Sequence, residues 1–139
     1  MGLSIRNQFP GTITGVTAGE AMAVVTTRLT GGQDLTAAIT REAVDAFGLA
    51  EGTRVRALVK STEISLATGP LTGISIRNQF AGTVDRITRG EAMSTVTVTL
   101  DGTTLTAAVT TDSVQDLGLA VGTSVVALIK STDVLLTVD

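Results

Sequence analysis

One segment of this chain is written twice. Residues Ser4–Leu29 recur as Ser75–Leu100 at an offset of 71, and Leu35–Leu66 recur as Leu105–Leu136 at an offset of 70. More than half of the aligned positions are identical. The one-residue difference falls where TGGQD faces DGTT, a loop in which a deletion costs little. Such a duplication restricts the fold to two copies of one small unit. Gly and Pro in ATGPLTG (Ala67–Gly73) mark the connector, which is too short to let the copies drift apart. The units are therefore placed at residues 1–67 and 74–139, with a linker at 68–73. Small domains bury a smaller share of their surface, so two thin cores are expected to lean on each other or on further subunits.

Each copy reads as strands first. GTITGVTAG and GTVDRITRG alternate apolar and polar residues, the period of a half-buried strand. AVVTTRL and STVTVTL follow Gly19-Glu20-Ala21 and Gly90-Glu91-Ala92, which predict turns between paired strands. LTAAIT and LTAAVT come next, then one short helix. Thr40 and Thr110 stand where they can cap its first turn, Glu42 and Asp112 suit its dipole, and Gly48 and Gly118 end it. Aromatic residues amount to three Phe, so Val, Ile, Leu, Thr and Ala must fill the interior. The expected fold is all-β with one short helix per repeat, arranged as two tandem OB-like Greek-key barrels.

Composition excludes several functions. A net charge of −3 opposes binding to a nucleic-acid backbone, and the lack of Tyr and Trp opposes base stacking. Without Cys or His there is no thiolate or imidazole metal site and no imidazole base. Neither a nucleophile–base pair nor a carboxylate dyad is visible, so no enzyme is expected. No apolar run approaches the roughly 18–20 residues that cross a bilayer, and no signal-peptide pattern opens the chain. A cytoplasmic protein without a membrane partner is the expectation. Met1 followed closely by a motif at Ser4 is the pattern expected of a complete chain.

The polar residues are placed selectively. The chain has two Lys, Lys60 and Lys130, and two Asn, Asn7 and Asn78, each pair at equivalent positions. Lys occurs solely in KST, although surface Lys is ordinarily plentiful. SIRN supplies a hydroxyl, a guanidinium and a carboxamide; KST supplies an ammonium and two hydroxyls. Thr40 and Thr110 sit at helix starts, where free N–H groups favour an anion. These groups are mostly donors, which suits an oxyanion that presents only acceptors. The nearest acids, Glu63 and Asp133, directly follow KST, so their orientation matters. A plain reading stands beside this one: SIRN can satisfy a strand edge, and Lys can mark where a strand meets water. The residues alone leave both open.

SIRNQFPGTI…GLAEGTRVRALVKST and SIRNQFAGTV…GLAVGTSVVALIKST resemble the tandem molybdate-binding Mop/TOBE domains of the molbindin family. The resemblance runs from Ser4 to Leu136, and the ordered set of blocks is more specific than any one of them. It implies OB-like barrels, a homotrimer of tandem units, and molybdate or tungstate held between domains and subunits for storage, buffering or homeostasis. Carried over position by position, it implies an oxyanion-binding set of Ser4, Arg6, Asn7, Thr40, Lys60 and Ser61. The matching set in the second copy is Ser75, Arg77, Asn78, Thr110, Lys130 and Ser131. The family also holds anions near its threefold axis, for which backbone N–H groups around Gly19–Met22 and Gly90–Met93 are candidates. Ile5 and Ile76 depart from the smaller Ala usual there, and would tighten or distort a pocket they face. An alternative is a molybdate-sensing module that acts through a separate partner protein, since no helix-turn-helix segment or phosphate-binding loop is present to give an output.

Overall fold

A computed structural model describes residues 2–138. The first repeat runs β1 (Asn7–Ala18), β2 (Met22–Leu29), β3 (Asp34–Thr40), α1 (Arg41–Phe47), β4 (Arg54–Val59), a 3₁₀ turn at Ser61–Glu63, and β5 (Ile64–Ala67). The second runs β6 (Asn78–Arg89), β7 (Met93–Leu100), β8 (Thr103–Thr110), α2 (Thr111–Asp116), β9 (Ser124–Ile129), a 3₁₀ turn at Ser131–Asp133, and β10 (Leu135–Val138). The fold is the expected one: mostly β, with one short helix per repeat, in two curled half-barrels.

The curl begins in the long first strand of each repeat. The first half of β1 pairs with β4, from Asn7↔Val59 to Thr12↔Arg54, and from Gly11 onward it pairs with β2. A shift in the ladder between Ile13 and Gly15, repeated between Val84 and Arg86, bends the strand between its two partners. Gly11 and Gly82 lie at the crossing. A Cβ on Gly11 would stand 2.7 Å from the Arg28 carbonyl oxygen, and one on Gly82 would stand 2.6 Å from that of Thr99. Only glycine lets the strands approach so closely.

The sheets cut across the sequence repeats. One has the order β10–β4–β1–β2–β3 and the other β5–β9–β6–β7–β8. Each thus takes four strands from one repeat and its fifth from the other. Leu135↔Leu58 through Val138↔Val55 zip β10 onto β4, and Ile64↔Ile129 through Ala67↔Val126 zip β5 onto β9. β4 and β9 each carry three consecutive buried residues, at Ala57–Val59 and Ala127–Ile129. An open edge there would invite foreign strands, and the exchanged strand covers it. The two thin cores merge accordingly: Phe9, Leu35 and Ile64 share one buried cluster with Val96, Leu105 and Ile129. Each fully buried aliphatic side chain of this size contributes roughly 1.5–3 kcal/mol.

Both helices are capped as their sequences predict. The Ala43 N–H donates to Thr40 Oγ1 at 3.1 Å, and the Ser113 N–H donates to Thr110 Oγ1 at 3.1 Å. Gly48 and Gly118, both at φ 62°, take the left-handed conformation just past the helices.

Candidate functional site

The SIRNQ motif divides in the fold. Its Asn carboxamide faces inward, while its Gln stays at the surface. The Gln8 Nε2 donates to the Ile5 carbonyl at 2.9 Å, as Gln79 Nε2 does to Ile76, so the Gln folds the segment back on itself. Asn7 and Asn78 are only 4% and 1% exposed. The Oδ1 of Asn7 accepts from the Thr106 N–H at 2.8 Å, while Nδ2 donates to the carbonyls of Thr106 at 2.8 Å and Val59 at 3.1 Å. A longer contact of 3.4 Å runs to Ser61 Oγ. Asn78 repeats the pattern: the Thr36 N–H donates to its Oδ1 at 2.8 Å, and its Nδ2 donates to Thr36 and Ile129 carbonyls at 2.8 and 3.1 Å. Both hydrogens of each carboxamide therefore point at backbone oxygens.

Hydroxyls and cations face the other way. Ser4, Ile5, Arg6, Lys60, Ser61 and Thr62 line one open cleft of about 260 Å³. Two elements meet to make it: the segment leading into β1, and the turn that leaves β4. Asn7↔Val59 is the ladder pair joining those strand ends, which is why Arg6 and Lys60 come together. No carboxylate lines the cleft. Among the described residues the ion pairs are Arg28–Asp34 and Arg41–Asp45, so neither Glu63 nor Asp133 neutralises a site cation. Two positive charges and three hydroxyls thus surround a space that no acid shares. Ile5 lines the cleft, where the sequence raised the question of its direction, and Thr62 adds a hydroxyl from KST outside the expected set.

The remaining expected residues do not line this cleft. Thr110 lines a neighbouring cleft of about 370 Å³ with Thr62 and Ser113. It therefore lies beside the KST turn of the first repeat, not that of its own. Thr40 ends β3, against which the Ser131–Asp133 turn packs. Strand exchange has crossed these pairs. The cap hydroxyls already accept from helix N–H groups, which leaves each its own hydrogen to donate. In the second repeat Lys130 is exposed, and Arg77 folds back to donate to the carbonyls of Ser75 at 3.0 Å and Ile74 at 3.3 Å. Ser131 Oγ is buried without a hydrogen-bond partner. At the two hairpin turns the Gly19 N–H donates to the Met22 carbonyl at 2.8 Å and the Gly90 N–H to the Met93 carbonyl at 3.0 Å.

The backbone of Thr36 and Thr106 is the part of the site that residue types did not reveal, because a peptide group leaves no trace in a side-chain pattern. Among the described residues no cluster of His, Cys, Asp and Glu gathers for a metal ion, and no helix is long and apolar enough to cross a membrane.

Intertwined OB-like half-barrels with a donor-lined cleft at the start of a repeat define a tandem β-barrel protein of small-domain type. The chain belongs to the TOBE domain family, which matches it twice, over residues 3–66 and 74–136. This is the tandem Mop/TOBE architecture of the molbindins. It is similar over its full length to the crystal structure of ModG, a cytoplasmic molybdate-binding protein with molybdate bound: TM-score 0.97, 38% identity, 100% of both chains covered. It is also 38% identical over 142 residues to the molybdenum transport protein ModE of Herbaspirillum seropedicae, covering 100% of this chain and 52% of the relative. The molybdenum-pterin-binding protein MopB of Rhodobacter capsulatus is 42% identical over 137 residues, covering 96% and 50% respectively. The chain spans about half the length of these two sequence relatives.

Proposed function

We propose that this protein reversibly binds molybdate, with tungstate as a close competitor, in the cytoplasm, and does no covalent chemistry on it. The observation that carries this reading is the convergence of Arg6 and Lys60 on one cleft with Ser4, Ser61 and Thr62 and without a carboxylate. A dianion taken out of water needs its charge and its acceptors compensated together. One guanidinium, one ammonium and several hydroxyls meet that need. The likeness to ModG in its molybdate-bound form supports the choice of anion.

The ligand set we propose is Ser4, Arg6, Lys60 and Ser61, with Ser75, Arg77, Lys130 and Ser131 as its second edition and the hydroxyls of Thr40 and Thr110 nearby. In a single chain the cleft is open, so a neighbouring subunit is needed to exclude water. Exposed Phe47, Met22, Met93, Leu135 and Val121 supply apolar surface for such assembly. A homotrimer is the arrangement we propose, and it couples binding to assembly because an anion held between subunits stabilises the assembled form. Sulfate has the same charge and shape but is smaller, so discrimination falls to the spacing of the cage, narrowed by Ile5. Storage or buffering is the role proposed. A sensing role through a separate partner is the second reading, favoured by the full-length match to half of ModE.

Calorimetric titration of the chain with molybdate, beside sulfate and phosphate, tests the proposal. Saturable heat with molybdate and none with the other two is expected. No molybdate heat at micromolar protein and ligand would overturn it.

A further inference from the structure

We infer that Asn7 and Asn78 are positioning residues. Each carboxamide clips the Lys-bearing turn of its own repeat to the edge strand of the other, so that oxyanion affinity is set by a contact outside the cleft. This rests on the oxyanion reading above.

The chemistry starts from what a carboxamide offers: one acceptor oxygen and two donor hydrogens in a single plane. One face of that plane matches a peptide group. β8 closes one end of its sheet, so the outward N–H and C=O of Thr106 have no strand beside them. Asn7 meets both at 2.8 Å, as a neighbouring strand would. Its remaining hydrogen goes to the carbonyl of Val59, directly before Lys60. The longer contact to Ser61 touches the residue directly after Lys60. Arg6 is bonded covalently to Asn7 itself. One side chain therefore holds the backbone just before the ammonium, touches the hydroxyl just after it, anchors the guanidinium-bearing segment, and ties them to the second repeat. Asn78 bonds Thr36 of β3, the edge of the other sheet, and Ile129, directly before Lys130, while the Ser131 hydroxyl after it stays unpaired.

Neither neighbour in size replaces it. Asp lacks both donors and would set a charge against two carbonyls, and Gln carries its amide one methylene too far. Buried groups of this kind are costly to leave unpaired. That cost explains why the chain's only two Asn stand here.

Molybdate is titrated into the full-length chain carrying Lys130→Ala, where only the first cleft keeps its ammonium, with and without Asn7→Ala. The same pair is measured in a Lys60→Ala chain, whose surviving ammonium is held by Asn78. The loss caused by Asn7→Ala is expected to be about ten-fold larger in the Lys130→Ala background, the scale on which outer partners affect a bound ion. Equal losses in both backgrounds, or none in either, would overturn the positioning role while leaving molybdate binding intact. No binding by the unsubstituted chain would overturn the oxyanion reading and this role together. If Asn7→Ala does not fold, amide hydrogen exchange on the unsubstituted chain decides. Bound molybdate is expected to slow exchange at Thr36 and Thr106, and unchanged rates at both would overturn the inference.

Discussion

Thr27 and Val98 occupy the same position in the two repeats, both wholly shielded from solvent, yet the hydroxyl of Thr27 finds no hydrogen-bond partner. A buried donor left unpaired costs about 1–3 kcal/mol. The second repeat shows that a methyl group fits in its place. Thr27→Val is therefore expected to raise the unfolding free energy by about 1 kcal/mol, read as a higher denaturant midpoint at unchanged slope. A lower midpoint would contradict the burial argument.

Arg28 faces Asp34 across β2 and β3, where the second repeat pairs Thr99 with Thr104. Arg28 Nε donates to Oδ1 of Asp34 and Nη2 to Oδ2, and this hydrogen-bonded guanidinium holds the carboxyl below its ordinary pKa. A carboxyl depressed in the folded state contributes stability above its unfolded value, near pH ~4, and loses it as pH falls through the folded value. Both groups are exposed, so the effect is small and screened by salt. Asp34→Asn is expected to lower the melting temperature at neutral pH and low salt, with the difference fading in high salt and in acid. A difference that persists unchanged in acid would exclude the ion pair as its source.

Exchange of β5 and β10 makes each half incomplete. Residues 1–73 produced alone carry β5 with no β9 to receive it, and leave the apolar edge of β4 bare. Light scattering on this fragment is expected to show association, through β5 of one copy on β4 of another, or an unfolded chain. A stable folded monomer would show that the exchange is dispensable.

Local features were legible before any fold was known. Alternating strands, Thr caps and closing glycines all announce themselves within a few residues, because period and capping are local physics. Residue types singled out Ser4, Arg6, Lys60 and Ser61 as donors but left their role open; that they line one cleft depends on the Asn7↔Val59 pairing, which no residue type announces. Strand exchange was not legible either. β5 and β10 sit at the same place in each copy, and nothing in ISLA or LLTV says which sheet receives them. The part played by Asn7 and Asn78 was half visible: their rarity marked them, but their partners are peptide groups in the opposite repeat. For the same reason Thr110 pairs with a turn that sequence alignment assigns to the other copy.

The most direct measurement is molybdate titration of the Lys60→Ala/Lys130→Ala double variant beside the unsubstituted chain, with circular dichroism on both. Both Lys side chains are exposed, so the barrels are predicted to stay folded while affinity falls by roughly ten-fold or more, as when a charged partner of a bound anion is removed. Unchanged affinity in a folded double variant would contradict the account.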